Sequence, residues 1–116
     1  MDEEMNRGEA DKPDFLYSTF STAWGLERLP EHMRMSMFRY LAFGISGGGF
    51  MTAMLSGYYY SASCRADEVN LKHFVDWIRW LHECCPHEAR GSREAVNDWC
   101  RSGGLRGISS GTLIRV

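Results

Sequence analysis

The sequence has no apolar run close to the roughly 20 residues that a membrane-spanning helix needs. It also lacks the basic opening of a secretion signal, because its first residues, MDEEMNRGE, are acidic. Both absences predict a cytoplasmic protein that does not contact a membrane. The four cysteines (Cys64, Cys84, Cys85 and Cys100) are therefore expected to stay reduced and to act mainly as small apolar side chains.

Positive charge is not concentrated anywhere in the chain. Residues 1–27 carry seven acids against two bases, whereas residues 28–104 carry nine bases and eight acids. Non-specific DNA binding needs a dense basic face, so direct nucleic-acid binding is disfavoured. The acid-rich stretch over residues 1–13 is expected to be a solvated, disordered arm.

The glycine run Gly47-Gly48-Gly49 lacks the Lys-Ser/Thr of a nucleotide-binding P-loop, and no β-rich segment precedes it. A glycine-rich turn before a helix can cradle phosphate through its backbone N–H groups. Without the rest of the motif, the run is predicted to be a tight connection between helices.

No metal or catalytic motif has suitable spacing either. Nitrogen and sulfur ligands cluster at His82, Cys84, Cys85, His87 and Cys100, but adjacent cysteines diverge on a helix and no second ligand pair follows. A Cys–His nucleophile pair here would lack an oxyanion loop and an orienting acid. The prediction is therefore no catalytic residue, no cofactor, no metal and no enzymatic activity, with a small zinc-binding protein kept as an alternative.

What the sequence does contain is helical patterning. The stretch from Phe50 to Ala62 begins apolar on nearly every side, as expected of a helix in the middle of a bundle. A helix from Pro30 to about Phe43 precedes it, one from Glu68 to Cys84 follows, and a short helix capped by Ser92 comes last. These patterns predict an all-α fold: a compact bundle of three main helices plus a short C-terminal helix. The predicted domain covers residues 14–104, and residues 105–116 form a tail.

The third main helix has two apolar faces. Its 3- and 4-residue spacing predicts a core face, made of Leu71, Phe74, Val75, Ile78, Leu81 and Cys85. A flank of His73, Trp77, Trp80 and Cys84 is too apolar for a solvated edge. It either receives the aromatic segment over residues 14–28 or forms an exposed contact surface, and the first alternative is favoured.

Three consecutive tyrosines, Tyr58, Tyr59 and Tyr60, follow Gly57. On a helix they span about 200° of arc, so at least one ring is expected to face solvent. Exposed tyrosines are enriched at protein interfaces. They are predicted either to form a binding patch or to divide between core and ordinary surface.

The segment from Leu29 to Gly104 resembles a family of small helical proteins encoded by bacteriophages and prophages. The residues that carry the resemblance are Leu29-Pro30-Glu31-His32-Met33, Arg39-Tyr40, Gly44, Gly48, Phe50, Ala53, Leu55, Ala66-Asp67, Asn70, Pro86, Gly91-Ser92, Glu94, Trp99 and Gly103-Gly104. The chain departs from the family pattern at Gly57-Tyr58, where relatives often carry Asn-Asp, and at Arg90, where they often carry Trp.

The resemblance implies a phage origin and a compact helical domain without an assigned activity. Small phage proteins of this kind commonly bind a host or phage protein, so the leading hypothesis is an inhibitor of a host antiviral defence such as CRISPR–Cas. A DNA-binding accessory of phage transcription or replication is the alternative from another class. The residues expected to contact the protein partner are Tyr58, Tyr59, Tyr60, Asp2, Glu3, Glu4 and Arg90.

Overall fold

The computed structural model describes residues 20–106, and every regular element within them is helical. The main helices are α1 (Glu31–Phe43), α2 (Gly49–Ser56), α3 (Tyr59–Arg65), α4 (Glu68–Lys72), α5 (Phe74–Glu83) and α6 (Arg93–Ser102). Two 3-10 turns, Leu26–Arg28 and His87–Ala89, and short helical segments at 20–23 and 104–106 complete the described chain. The predicted all-α class is confirmed. The predicted arm over residues 1–13, with Asp2, Glu3 and Glu4, and the tail from residue 107 lie outside the described residues.

Helix α1 begins at Glu31, one residue after the predicted start at Pro30, which is its N-cap. It ends at Phe43, as predicted, before the C-cap Gly44, whose φ of 72° lies in the left-handed region that favours glycine. A Cβ on Gly44 would lie 2.8 Å from the backbone nitrogen of Gly104. Glycine is therefore needed at position 44 for two reasons: it adopts the left-handed turn, and it allows the close approach of the chain that follows α6. This contact fixes the end of α1 against the end of α6.

The apolar stretch from Phe50 to Ala62 forms two helices rather than one. Gly57 has φ 83°, and its N–H bonds the Met54 carbonyl, which closes α2 before α3 begins at Tyr59. Six of the eight residues of α2 are buried, in agreement with a helix placed in the middle of the fold. Residues 44–48, which include part of the glycine run, connect α1 to α2 as predicted.

The helix predicted from Glu68 to Cys84 is also divided, because His73 (φ −103°, ψ 24°) separates α4 from α5. Asp67 caps α4 as predicted, accepting the N–H of Asn70 at 2.7 Å. The predicted bundle of three main helices plus a short fourth thus corresponds to α1–α6, and the described chain contains the shorter helical segments in addition.

The predicted core face of that helix is wrong at two positions. Leu71 and Val75 are 54% and 62% exposed, whereas Trp77 and Trp80 are completely buried. The interruption at His73 breaks the single helical register on which the prediction depended. The much larger apolar area of the two indoles is buried in place of the smaller aliphatic side chains.

The buried indoles are held by hydrogen bonds to other elements. Trp80 Nε1 donates to the Trp24 carbonyl at 2.8 Å, and Trp77 Nε1 donates to Asn70 Oδ1 at 3.1 Å. The Phe50 ring packs edge-on against Trp77, with ring centroids 5.2 Å apart. The expectation that the tryptophan flank receives the preceding aromatic segment is confirmed for Trp24; residues 14–19 of that segment lie outside the described part.

A second buried network joins α1 to α6. Trp99 Nε1 donates to the Tyr40 carbonyl at 2.8 Å, and the Tyr40 hydroxyl donates to the Ala89 carbonyl at 2.6 Å. Burial raises the pKa of the Tyr40 hydroxyl, because the phenolate would be desolvated. The neutral hydroxyl is therefore available as a donor across the ordinary pH range. The Phe50–Trp77 contact places α2 against α5, α2 also packs against α6, and the α2–α3 junction lies at the surface.

Candidate functional site

The tyrosines at the α2–α3 junction divide between surface and core. Tyr60 is 85% exposed and Tyr58 is 51% exposed, while Tyr59 is half-buried and packs against the hydrophobic core. The left-handed turn at Gly57 redirects the chain so that Tyr58 and Tyr60 both remain accessible. The prediction that at least one ring faces solvent is confirmed.

Arg90, the fourth described residue of the predicted partner surface, belongs to a segment that meets the same junction. The N–H of the next residue, Gly91, donates to the Leu55 carbonyl at 2.8 Å, near the C-terminal end of α2. Arg90 itself is only partly accessible, and its buried Nε has no hydrogen-bond acceptor within residues 20–106. The backbone thus brings the Arg90 segment and the tyrosines to one region.

A small notch opens beside Tyr58. It has a volume of about 330 Å³, and its lining combines glycines, hydroxyl groups and two arginines: Gly47, Gly48, Gly49, Thr52, Ala53, Tyr58, Ser61, Arg65 and Arg93. Ser61 Oγ accepts a hydrogen bond from Arg65 Nε at 3.3 Å. The notch therefore joins the glycine turn, the first exposed tyrosine and two cations.

Arg65 and Arg93 were missed by sequence reasoning. They are 28 positions apart in the printed sequence and belong to no recognised motif. Only the packing of α3 and the start of α6 around α2 brings them together. The sequence signal that pointed here was the glycine run, and it did not identify the positive charges that the fold places beside it.

A larger, open cleft of about 1100 Å³ lies between the start of α1 and the α4–α5 region. Its carboxylates are Glu27, Glu31, Asp67, Glu68 and Asp76. Two imidazole–carboxylate pairs line it: His32 Nε2 lies 2.8 Å from Asp67 Oδ2, and His73 Nδ1 lies 3.0 Å from Asp76 Oδ2. Hydrogen bonding from the backbone N–H of Asn70, followed by the His32 contact, holds the pKa of Asp67 below its usual value.

The cationic side chains of this cleft already have partners. Arg28 forms an ion pair with Glu83 at 2.7 Å and donates to Cys84 Sγ at 3.2 Å. Arg34 donates to the carbonyls of Leu29 and Glu27. The cleft therefore presents mainly negative charge, in contrast to the notch beside Tyr58.

The cysteines described in the structure are all free. Burial raises the pKa of the Cys85 thiol to about 12, and burial also raises the pKa of Cys100. Both shifts oppose the thiolate form that a nucleophile or a metal ligand needs. Within residues 20–106, no group of three or more His, Cys, Asp or Glu side chains is arranged to hold a metal ion.

Comparison with known proteins identifies no relative: no family model, curated protein or solved structure matches the chain. In the described part of the chain, none of the helices combines the length and apolar character required to cross a bilayer.

Proposed function

We propose that the chain is a non-enzymatic protein-interaction module that binds its partner through the α2–α3 junction. The observation that carries this proposal is the exposure of Tyr58 and Tyr60, which lie two residues apart at the start of α3. Tyrosine and arginine are the residue types over-represented among energetically dominant interface positions. At this junction Tyr58 lines a notch together with Arg65 and Arg93, and Tyr60 is exposed two residues away, so the local composition is that of a binding surface.

The most concrete form of the proposal is inhibition of a host antiviral defence in the bacterial cytoplasm, with a CRISPR–Cas effector subunit as the partner. This form is supported by the phage-family resemblance from Leu29 to Gly104 and by the small size of the domain. The acids Asp2, Glu3 and Glu4 and the half-buried Arg90 are proposed to add secondary contacts.

The test is a pull-down of tagged protein from a bacterial lysate that contains an active CRISPR system, read by mass spectrometry, together with an assay of phage interference. The wild-type protein is expected to recover effector subunits in stoichiometric amounts and to suppress interference. The double variant Tyr58→Ala/Tyr60→Ala is expected to lose both effects.

Leu71→Ala is the matched control, because Leu71 is also a large, half-exposed apolar side chain but belongs to α4. It should behave like the wild type. Absence of any complex, with interference intact, would contradict the defence-inhibitor form. Equal recovery by the tyrosine variant would place the contact surface elsewhere.

A further inference from the structure

The notch beside Tyr58 places two positive side chains against positive helix ends. A Cβ on Gly49, the first residue of α2, would lie 2.8 Å from Arg65 Nη1. Arg93 is the first residue of α6. Cations are disfavoured at helix N-termini, where the unsatisfied N–H groups already create positive potential. Both arginines are exposed, and both nevertheless line the same notch.

No carboxylate offsets this charge within the described chain. The ion pairs formed by residues 20–106 involve neither arginine, and the notch lining contains no Asp or Glu. The hydrogen bond from Arg65 Nε to Ser61 leaves its two terminal nitrogens for other acceptors. The N-cap of α2, Gly48, supplies no side-chain acceptor, and the first backbone N–H to reach back to the cap is that of Thr52.

Gly48 has no conformational reason to be glycine. Its φ of −74° is accessible to any residue, and a Cβ built there would meet no atom within 4 Å. Gly47 and Gly49 differ, because a Cβ on either would collide with Met51 or Arg65. Gly48 lies in the notch lining and leaves the N-terminus of α2 without a side chain at its cap.

We propose that this notch is a binding site for a phosphate-class oxyanion, held by Arg65 and Arg93 and by the backbone N–H groups that open α2. Planar guanidinium groups bind oxyanions with paired hydrogen bonds, and helix N-termini add amide donors. The Thr52 and Ser61 hydroxyls extend the donor set. Donors supplied by three helices suit a tetrahedral anion with several oxygens better than a planar carboxylate. This site is an addition to the proposed partner surface and does not require that proposal.

The test is isothermal titration of the full chain with three probes: inorganic phosphate, O-phosphoserine and adenosine monophosphate. Equal affinities would show that the anion alone is recognised, whereas tighter binding of one organic probe would identify the source of the phosphate. Both results support the site. Absence of heat and of amide NMR shifts at Gly48–Thr52 with all three probes would overturn it.

Arg65→Gln and Arg93→Gln are each expected to weaken binding about tenfold, since each removes a charge-assisted contact. Arg79→Gln is the matched control, because Arg79 is an exposed arginine on α5 outside the notch. It should bind like the wild type. An equal loss in Arg79→Gln would show general charge attraction and would contradict a specific site.

The Gly48→Asp variant tests anion binding separately from folding stability. An aspartate at the N-cap supplies its own carboxylate to the α2 N–H groups, so the melting temperature should rise without ligand. The same carboxylate should abolish phosphate binding by occupying the site. A Gly48→Asp protein that still binds phosphate with wild-type affinity would overturn the proposal. Because Tyr58 lines the notch and Tyr60 does not, the single variant Tyr60→Ala tests partner capture without altering the notch, so either proposal can fail alone.

Discussion

The aromatic side chains lie in two regions that differ in the burial and hydrogen bonding of their polar atoms. Trp80 and Tyr40 are fully buried, and the indole N–H and the hydroxyl each donate to a backbone carbonyl of another segment. Tyr58 and Tyr60 are exposed, and no hydrogen bond joins their hydroxyls to another residue of the described chain. The buried aromatics therefore join elements of the fold, whereas the exposed pair is free to contact another molecule.

This difference has an energetic basis. A buried donor without an acceptor is unfavourable by a few kcal/mol, so a Trp or Tyr in the core needs a partner placed at the correct distance. Each such bond also fixes the relative position of two segments. An exposed tyrosine bonds to water and constrains nothing in its own fold.

The largest effect is expected at Trp80. Trp80→Ala removes a buried indole and its bond to the Trp24 carbonyl, and should reduce the free energy of unfolding by about 3–5 kcal/mol. Urea denaturation followed by circular dichroism measures this change. Trp80→Phe, which retains an aromatic ring, should be less destabilising. Equal stability of Trp80→Ala and the wild type would contradict the assignment of Trp80 to the core.

A smaller loss is expected when only the polar atom is removed. Tyr40→Phe keeps the ring but leaves the Ala89 carbonyl without its donor, and should reduce the free energy of unfolding by about 1–2 kcal/mol. Tyr59→Phe is the matched control, because no hydrogen bond from its hydroxyl to another described residue is present. If both variants lost the same stability, the Tyr40–Ala89 bond would not be the cause.

The sequence was sufficient to predict elements that depend on neighbouring residues. The α1 boundaries follow from Pro30 and Gly44, and the caps at Asp67 and Ser92 follow from side chains that bond the next turn. The division near Gly57 had a local signal as well, because glycine weakens a helix interior. All of these depend on interactions over a few residues.

Features that depend on distant contacts were not predictable in the same way. The regular spacing of Leu71 and Val75 indicated a core face, but Trp77 and Trp80 obtain acceptors only when Asn70 and Trp24 are placed beside them. The spacing of apolar residues along a helix does not indicate which of its two apolar faces will find hydrogen-bond acceptors in the folded protein.

The same limit applies to the candidate site. Tyr58 and Tyr60 were identifiable because three adjacent tyrosines cannot share one helix face. Arg65 and Arg93 were not, since their proximity results from the packing of α3 and α6 around α2.

Asp67 is exposed, so replacing it tests whether hydrogen bonds to a side chain stabilise the fold when that side chain is not buried. Its folded pKa is lowered, so its carboxylate stabilises the fold above the unfolded pKa, and this contribution is lost as pH falls through the folded pKa. Asp67→Ala should lower the melting temperature at neutral pH, and its difference from wild type should shrink below about pH 4. Asp67→Asn retains a capping acceptor for the Asn70 N–H and should lose less. A difference that stays constant with pH would show that the carboxylate charge has no part in the effect.

The smallest effect on stability is expected at the exposed tyrosines. Tyr60→Ala should change the free energy of unfolding by no more than about 0.5 kcal/mol, because the ring is 85% exposed and leaves no buried cavity when removed. Urea denaturation of Tyr60→Ala and of Trp80→Ala under the same conditions compares their losses in the free energy of unfolding. Loss of partner capture with unchanged stability would separate the two aromatic regions by function. A destabilisation as large as that of Trp80→Ala would instead show that Tyr60 supports the fold, and its exposure would then not mark a binding surface.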